Sequence, residues 1–317
     1  MTTITERYVS EDGNTIKYVH QNGSENTLKI GPSCSGDQTI DRRKAVIFLS
    51  SSIGCLQGCK FCFLTEKGYK HQLLTTNDVI KSCIDVITDA KDLIKDRYLK
   101  ISFMGMGDAF SCGIDLYHVV MSVFDYSIKN NLILGVDGVD IGTSYPNAKS
   151  HNREFSQMTR MNDTLIKERY PLNPHNRYTD RAPHDKDHRT VVRLFVSMPT
   201  VDARTKHTLM PRSETPTEIY TEVGQLSIDI IFHCLFLDGV NDRPKDIRAM
   251  IAFFEEGQYE VRLLRYNRCP GSMFEESWRI EKIIETLKKS NLKFKYQVSP
   301  GSEIQAACGQ FLCKVRE

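Results

Sequence analysis

A chain of 317 residues suits two average domains or one α/β barrel, which commonly occupies about 200–250 residues. Its 40% hydrophobic and 26% charged residues exclude a disordered or fibrous chain. The 42 Lys and Arg against 40 Asp and Glu, a formal charge of +2, exclude a polycation, so affinity for nucleic acid would rest on local basic patches. No apolar run approaches the roughly 18 residues of a membrane span, and the opening MTTITERYVSEDGN lacks the basic start and apolar core of a signal peptide. The ten cysteines fall well below the roughly 8–10 per cent of a disulfide scaffold. They are expected as thiols in a reducing cytoplasm, open to metal binding or catalysis.

In chain order, residues 1–40 predict a small N-terminal β-hairpin element: DGNTIKYVHQNGSENTLKI alternates around Asn22-Gly23, a hairpin signal. From residue 41 to 317 short β-rich runs and longer helical stretches take turns. AVIFLS, LKISFMGMG, VDIGTS, VVRLFVS, IDIIFHCLFL and EVRLLRY read as strands with apolar centres, as buried parallel strands require. TTNDVIKSCIDVITDA, GIDLYHVVMSVFDYS, SETPTEIYTEVGQLS, RPKDIRAMIAFFEEG and EESWRIEKIIETLKKS carry apolar residues at helical spacing, with Asn77, Ser213 and Glu275 near the helix starts. Alternating strands and helices predict right-handed βα units. Six units fit an α/β fold of the open, partial (β/α)6 TIM-like type, with its site at the carboxyl ends of the strands. A polar segment inserted at about 146–190, rich in Arg, His and Asn, reads either as a solvated surface excursion or as a basic lid for phosphates.

The strongest local signal is GCLQGCKFC, which places Cys55, Cys59 and Cys62 in a C-x3-C-x2-C array between the first core strand and the first core helix. Three thiolates on one loop can converge on one metal centre. A structural zinc site wants four protein ligands. Three ligands on a four-iron cube instead leave one iron open for a small molecule. Phe61, Ile53 and Phe63 add apolar surroundings.

This triad with this strand–helix alternation resembles the radical S-adenosylmethionine superfamily. The resemblance implies that the open iron of a [4Fe-4S] cluster chelates S-adenosyl-L-methionine and that a radical is released by one-electron cleavage of the sulfonium. Further stretches resemble the RlmN/Cfr enzymes, which methylate adenine in RNA at C2 or C8. SSSIGCLQGCKFCFLTEKGYKHQLLTTNDVI resembles their opening, MGMGDAF their MGMGEPL, VSMPTVDARTKHTLMP their SLHAPNDELRDRLMP, and FLDGVNDRPKD their MLDGVND element. RYNRCPGS resembles PFNPFPGS, and GSEIQAACGQ resembles GDDIDAACGQ. The matches run in order from about Ser50 to Gln310.

Carried over residue by residue, the resemblance gives Gly107 and Asp108 to the methionine amino group, Ser197 to the ribose or carboxylate, and Asn267 to the adenosyl part of the cofactor. Gly142 stands where the family has a cofactor-binding Ser. Cys308 in the C-terminal Cys loop corresponds to the methyl-carrying Cys, which needs thiolate character and access. The implied partners are an rRNA or tRNA substrate and a flavodoxin- or ferredoxin-type electron donor. The expected setting is a cytoplasmic monomer with no membrane association.

The chain also departs from the family. The helical N-terminal domain of the ribosomal enzymes has no counterpart, Met198-Pro199 replaces Leu-His, Phe48 replaces the resolving Cys, and Lys29 aligns with the general-base Glu. Three readings follow: RNA methylation with another thiol, Cys112 or Cys34, resolving the adduct; different radical chemistry on the same scaffold; or a non-catalytic RNA- or partner-binding protein. Cys83 and Cys234 suit core packing, Cys269 the site lining, and Cys313 a free thiol, whereas His71, His118, His207 and His233 receive no role. Arg262, Arg265 and Arg268 suit either phosphates or a solvent-facing strand side, and Trp278 suits packing.

Overall fold

The computed structural model describes residues 3–31, 43–148, 150–174, 190–268, 272–297 and positions 304 and 306. Twelve strands are present among them: β1 (Ile4–Val9), β2 (Thr15–His20), β3 (Glu25–Ile30), β4 (Lys44–Phe48), β5 (Ser52–Ile53), β6 (Gln72–Leu73), β7 (Tyr98–Phe103), β8 (Gly135–Thr143), β9 (Val192–Ser197), β10 (Asp229–Cys234), β11 (Glu260–Leu264) and β12 (Phe294–Gln297). The helices are α1 (Phe63–Glu66), α2 (Thr76–Asp89), α3 (Lys91–Ile94), α4 (Leu116–Lys129), α5 (Asn152–Thr164), α6 (Ala203–Leu209), α7 (Pro216–Val223), α8 (Pro244–Glu256) and α9 (Ile280–Lys288), with a π-helical turn over Leu165–Arg169 after α5. None of the helices is long and apolar enough to cross a membrane.

Ten strands form one sheet in the order β1-β2-β3-β4-β7-β8-β9-β10-β11-β12. From β4 to β12 every neighbouring pair is parallel, as right-handed βα units produce. The six predicted parallel strands are present, and β12 adds a seventh beside β11. Only four residues long and half-polar, FKYQ carries too little apolar signal to stand out as a strand. At the N-terminus the turn at Asn22-Gly23 joins β2 to β3. β1 extends this pair to a three-stranded meander, and β3 pairs antiparallel with β4, joining it to the main sheet.

The strands turn a row of apolar side chains to one face. Ala45 and Ile47 on β4, Leu99 and Ile101 on β7, Val139 and Ile141 on β8, Val192, Leu194 and Val196 on β9, and Val261 and Leu263 on β11 are buried in the core with the helices. Val79, Val86, Val119 and Phe124 supply the helical side, which satisfies the 3.6-residue periodicity of α2 and α4. Capping boxes of Thr75 with Asp78 and Thr215 with Glu218 start α2 and α7, each donating and accepting at the first turn.

The apolar centres predicted for the strands are present, and the opposite face of β7, β8 and β9 adds buried charges between them. Lys100, 1% exposed, lies 3.3 Å from Asp137 and 3.5 Å from Asp140. Arg193 forks onto Asp140 with bonds of 2.7 and 2.8 Å, and Lys44 reaches Asp137 at 2.9 Å. The cations hold Asp137 down at about 2 and Asp140 well below the usual carboxylate range, against the effect of burial. Beyond this layer the Phe195 ring lies between the guanidinium groups of Arg193 and Arg262, at 4.9 and 4.8 Å, and against His233 at 4.8 Å. Two expectations change. Trp278 is 73% exposed with Arg279 over its ring at 4.3 Å, because α9 begins only at Ile280. Arg262, Arg265 and Arg268 pair with Glu260, Glu276 and Glu275, so each is partnered by an acid.

Candidate functional site

Strand β4 runs out into the stretch Leu49–Ile53, and its serines stitch this turn to the loop after β7. Ser51 donates its amide to the Met106 carbonyl at 2.8 Å, Met106 donates to Ser50 Oγ at 3.1 Å, and Gly105 donates to the Leu49 carbonyl at 2.9 Å. The cysteine loop follows. It turns through left-handed backbone at Gly54 and Gly58, with φ of +66° and +68°, a region that glycine enters without steric cost. A Cβ on Gly54 would also stand 2.8 Å from the Lys70 carbonyl oxygen.

Cys55, Cys59 and Cys62 are all half-buried on this loop. Cys55 and Cys62 pack with Leu64 and Met106, and Cys59 with Leu209, Met210 and Leu237. Burial pushes the Cys55 thiol up to about 12 and Cys59 well above its usual value, and the neighbouring thiols add to both shifts. Burial therefore favours the protonated thiol at Cys55 and Cys59. Among the described residues no three His, Cys, Asp or Glu side chains converge as a ligand set. The donor chemistry nonetheless fits an iron–sulfur group: three soft thiols in an apolar lining. Binding would require the thiols to ionise and turn towards a shared centre.

Asp108 sits beside the loop, 5% exposed. One carboxylate oxygen accepts from the Phe110 amide and the Thr143 hydroxyl, both at 2.9 Å, and the other from the amide and hydroxyl of Ser144, both at 2.6 Å. Burial raises its pKa although all these donors pull it down. Four hydrogen bonds fill the lone-pair capacity of a carboxylate. Asp108 thus fastens the β7 loop to the end of β8, and a cofactor amino group would have to share or displace one of these donors. Gly107 before it has φ of +91°, and a Cβ there would run into the hydroxyls of Ser51 and Ser52.

The third wall comes from α6 and the residues after it. Lys60 donates to the Leu209 carbonyl at 2.9 Å and Arg212 to the Leu56 carbonyl at 2.7 Å. Lys206, 1% exposed, donates from Nζ to Ser213 Oγ and to the Glu214 carbonyl. Ser213 passes its own hydroxyl to the Ser144 carbonyl at 2.5 Å. Lys206 and Ser213 are thereby tied to Ser144, whose carbonyl accepts from Ser213 while its amide and hydroxyl donate to Asp108. Sequence reasoning missed Lys206, Ser213, Thr143 and Ser144; the position of VDIGTS at a strand's carboxyl end was the one available signal for the last two.

The remaining expected residues lie around the same strand ends. Ser197 closes β9 beside His233, whose imidazole is driven down to about 3 by burial and by Arg262. Gly142 is on β8, where a Cβ would stand 2.8 Å from Met104 Cγ, so the side chain of Met104 takes the room of the family's Ser. Asn267 is half-buried just beyond β11. Cys112 is buried, donates to the Ala109 carbonyl at 3.3 Å, and is pushed up to about 11 by burial. A resolving thiol needs accessible thiolate, so this setting does not suit that role. Lys29 and Phe48 lie side by side, the ammonium 5.1 Å from the ring centre. Cys308, Cys34, Cys269 and Cys313 lie outside the described residues.

No protein-family model matches the chain. It is 26% identical to the dual-specificity RNA methyltransferase RlmN of Syntrophobacter fumaroxidans, over 98% of this chain and 80% of that one. It is also 26% identical to the ribosomal RNA large subunit methyltransferase Cfr of Clostridium botulinum, over 85% of this chain and 70% of the relative. The chain is thus similar along most of its length to the RNA methyltransferases RlmN and Cfr. A radical SAM methyltransferase from Sphaerobacter thermophilus superposes with a TM-score of 0.66 at 20% identity, covering 98% of this chain and 81% of that one. Streptococcus suis SuiB bound to S-adenosylmethionine gives a TM-score of 0.52 at 12% identity, covering 81% and 51%. These structures share the fold of the chain. Its three site loops are the cysteine loop, the Asp108 loop and the α6 segment.

Proposed function

We propose that this RlmN/Cfr-like enzyme methylates an adenine of RNA, at C2 or C8 of the base. The observation that carries the reading is the likeness to RlmN over 98% of the chain, combined with a cysteine loop set against the carboxyl ends of a parallel sheet. Cys55, Cys59 and Cys62 would hold a [4Fe-4S] cluster, with S-adenosyl-L-methionine beside Gly107, Asp108, Ser197 and Asn267. When bound, the pair supplies one-electron cleavage of a sulfonium and hence hydrogen abstraction at an unreactive carbon. The chain's own part is to keep water away and fix positions. Leu64, Met106, Leu209 and Met210 dry the loop, the close fit at Gly107 leaves no room for a side chain, and Asp108 holds two loops in register. Cys308 is the methyl carrier in this reading, an rRNA or tRNA the substrate, a flavodoxin- or ferredoxin-type protein the electron donor, and the cytoplasm the setting of a monomer.

A second reading, different radical chemistry on another substrate, is favoured by one observation. At the sheet positions where the family has an acid and a thiol, this chain places the Lys29 ammonium over the Phe48 ring at 5.1 Å. Phe48 cannot form a disulfide.

The test is anaerobic reconstitution followed by S-adenosylmethionine, reductant and host RNA. Methyladenine in the RNA and a methyl group on the Cys308 peptide are expected. Release of 5′-deoxyadenosine with neither modification would replace RNA methylation by the second reading. No cluster and no 5′-deoxyadenosine would remove the enzyme reading. Phe48→Cys sharpens the assay: a covalent RNA adduct accumulated by the wild type is expected to diminish in this variant.

A further inference from the structure

We propose that Lys206 is the built-in counter-charge of the cysteine loop and raises the reduction potential of the iron–sulfur centre that this loop would hold. The inference rests on the cluster assignment above but concerns a residue that assignment does not use.

Burying an ammonium costs several kcal/mol unless it is compensated. Lys206 is 1% exposed, yet the hydrogen bonds of its Nζ go to neutral oxygens, the hydroxyl of Ser213 and the backbone carbonyl of Glu214. These satisfy its donors without cancelling its charge. The acids that act on it are Glu214, just before α7, and Glu218 in its first turn. The cysteine loop lies against the same helix end, where Cys59 packs on Leu209 and Met210.

The packing fixes this arrangement. The cysteine loop rests on the helix that carries Lys206: Lys60 bonds the Leu209 carbonyl, Met210 bonds the Lys206 carbonyl at 2.7 Å, and Cys59 packs on Leu209 and Met210. Arg212 holds Leu56 on the same loop. Ser213, which accepts from the ammonium, is itself tied to the Ser144 carbonyl, and the Ser144 hydroxyl to Asp108. Three thiolates would bring negative charge to this corner, and one-electron reduction would add another. A fixed cation in a medium of low dielectric favours the reduced form, and net charge and hydrogen bonding near a cluster set its potential.

The test is a redox titration, followed by electron paramagnetic resonance, of the anaerobically reconstituted full chain. Lys206→Met is expected to take up iron and sulfide and to titrate at a more negative potential than wild type, whereas Lys206→Arg stays close to wild type. An unshifted potential in a cluster-loaded Lys206→Met overturns the proposal, as does an equal negative shift in Lys206→Arg. If the Met variant fails to fold, Lys206→Gln, which keeps a donor for Ser213 and Glu214, is titrated instead. The same negative shift supports the proposal and an unchanged potential overturns it. Absence of iron from the wild type would remove the cluster assignment itself, and so is distinguishable from a loaded wild type whose variants do not shift.

Discussion

Gly107 and His20 illustrate what single residues contribute. With φ of +91° and two serine hydroxyls in the path of any Cβ, Gly107→Ala is expected to lose about 1–2 kcal/mol from backbone strain alone. It should also disturb the loop that carries Asp108. Urea unfolding reads the first effect, and binding of S-adenosylmethionine to the reconstituted protein the second. His20 is 2% exposed; its Nε2 accepts from Asn26 Nδ2 at 3.0 Å, so its Nδ1 proton faces Thr3 Oγ1 at 3.0 Å. Burial drives it from about 6.5 to about 4. Above pH 6.5 it is neutral in both states and has no effect. Between pH 6.5 and 4 only the unfolded chain takes the proton, so stability falls as pH falls. The expected loss from this residue is about 2 kcal/mol between pH 7 and pH 5. The urea midpoint of His20→Gln should fall correspondingly less over that interval. At this scale the cysteine triad was readable because its information is local: three residues on a nine-residue stretch. Lys206, Ser144 and Ser213 were not, because each takes its meaning from a partner that only the fold brings near, and lone Lys and Ser residues carry no spacing.

Among elements, the meander of β1, β2 and β3 has the clearest dependence. β3 covers one edge of β4 with an antiparallel ladder from Thr27–Phe48 to Ile30–Ala45, and Ile16, Tyr18 and Leu28 join the main core. Removing residues 1–31 would expose that edge together with buried apolar side chains, both of which promote association. The shortened chain is expected to elute as aggregate in size-exclusion chromatography under conditions where the full chain does not. Alternation around Asn22-Gly23 revealed the hairpin, since a two-residue period is written directly in the residues. Its docking on β4 was not readable, because strand partners are chosen by non-local pairing. The same limit hid β12, whose parallel seat beside β11 depends on the whole preceding βα series.

At the scale of the whole molecule, the sheet carries an apolar coat against the helices and a charged lining on its other face. Asp140 is the centre of that lining, bonded to Arg193 and facing Lys100. Asp140→Ala would leave two buried cations without this carboxylate and is expected to cost about 3–5 kcal/mol, measured by urea unfolding. Asp140→Asn, which restores hydrogen bonding without charge, should recover part of it. Strand–helix alternation made the α/β class readable. The lining was obscured because Lys100, Asp140 and Arg193 sit singly within apolar runs, and their mutual pairing belongs to three different strands.

The meander also has a topological consequence. Both edges of β4 are occupied, by β3 on one side and β7 on the other, so β12 can never zip onto it to complete a ring. Among the described residues the ten strands therefore end in two separate edges, β1 and β12, and the sheet does not close on itself.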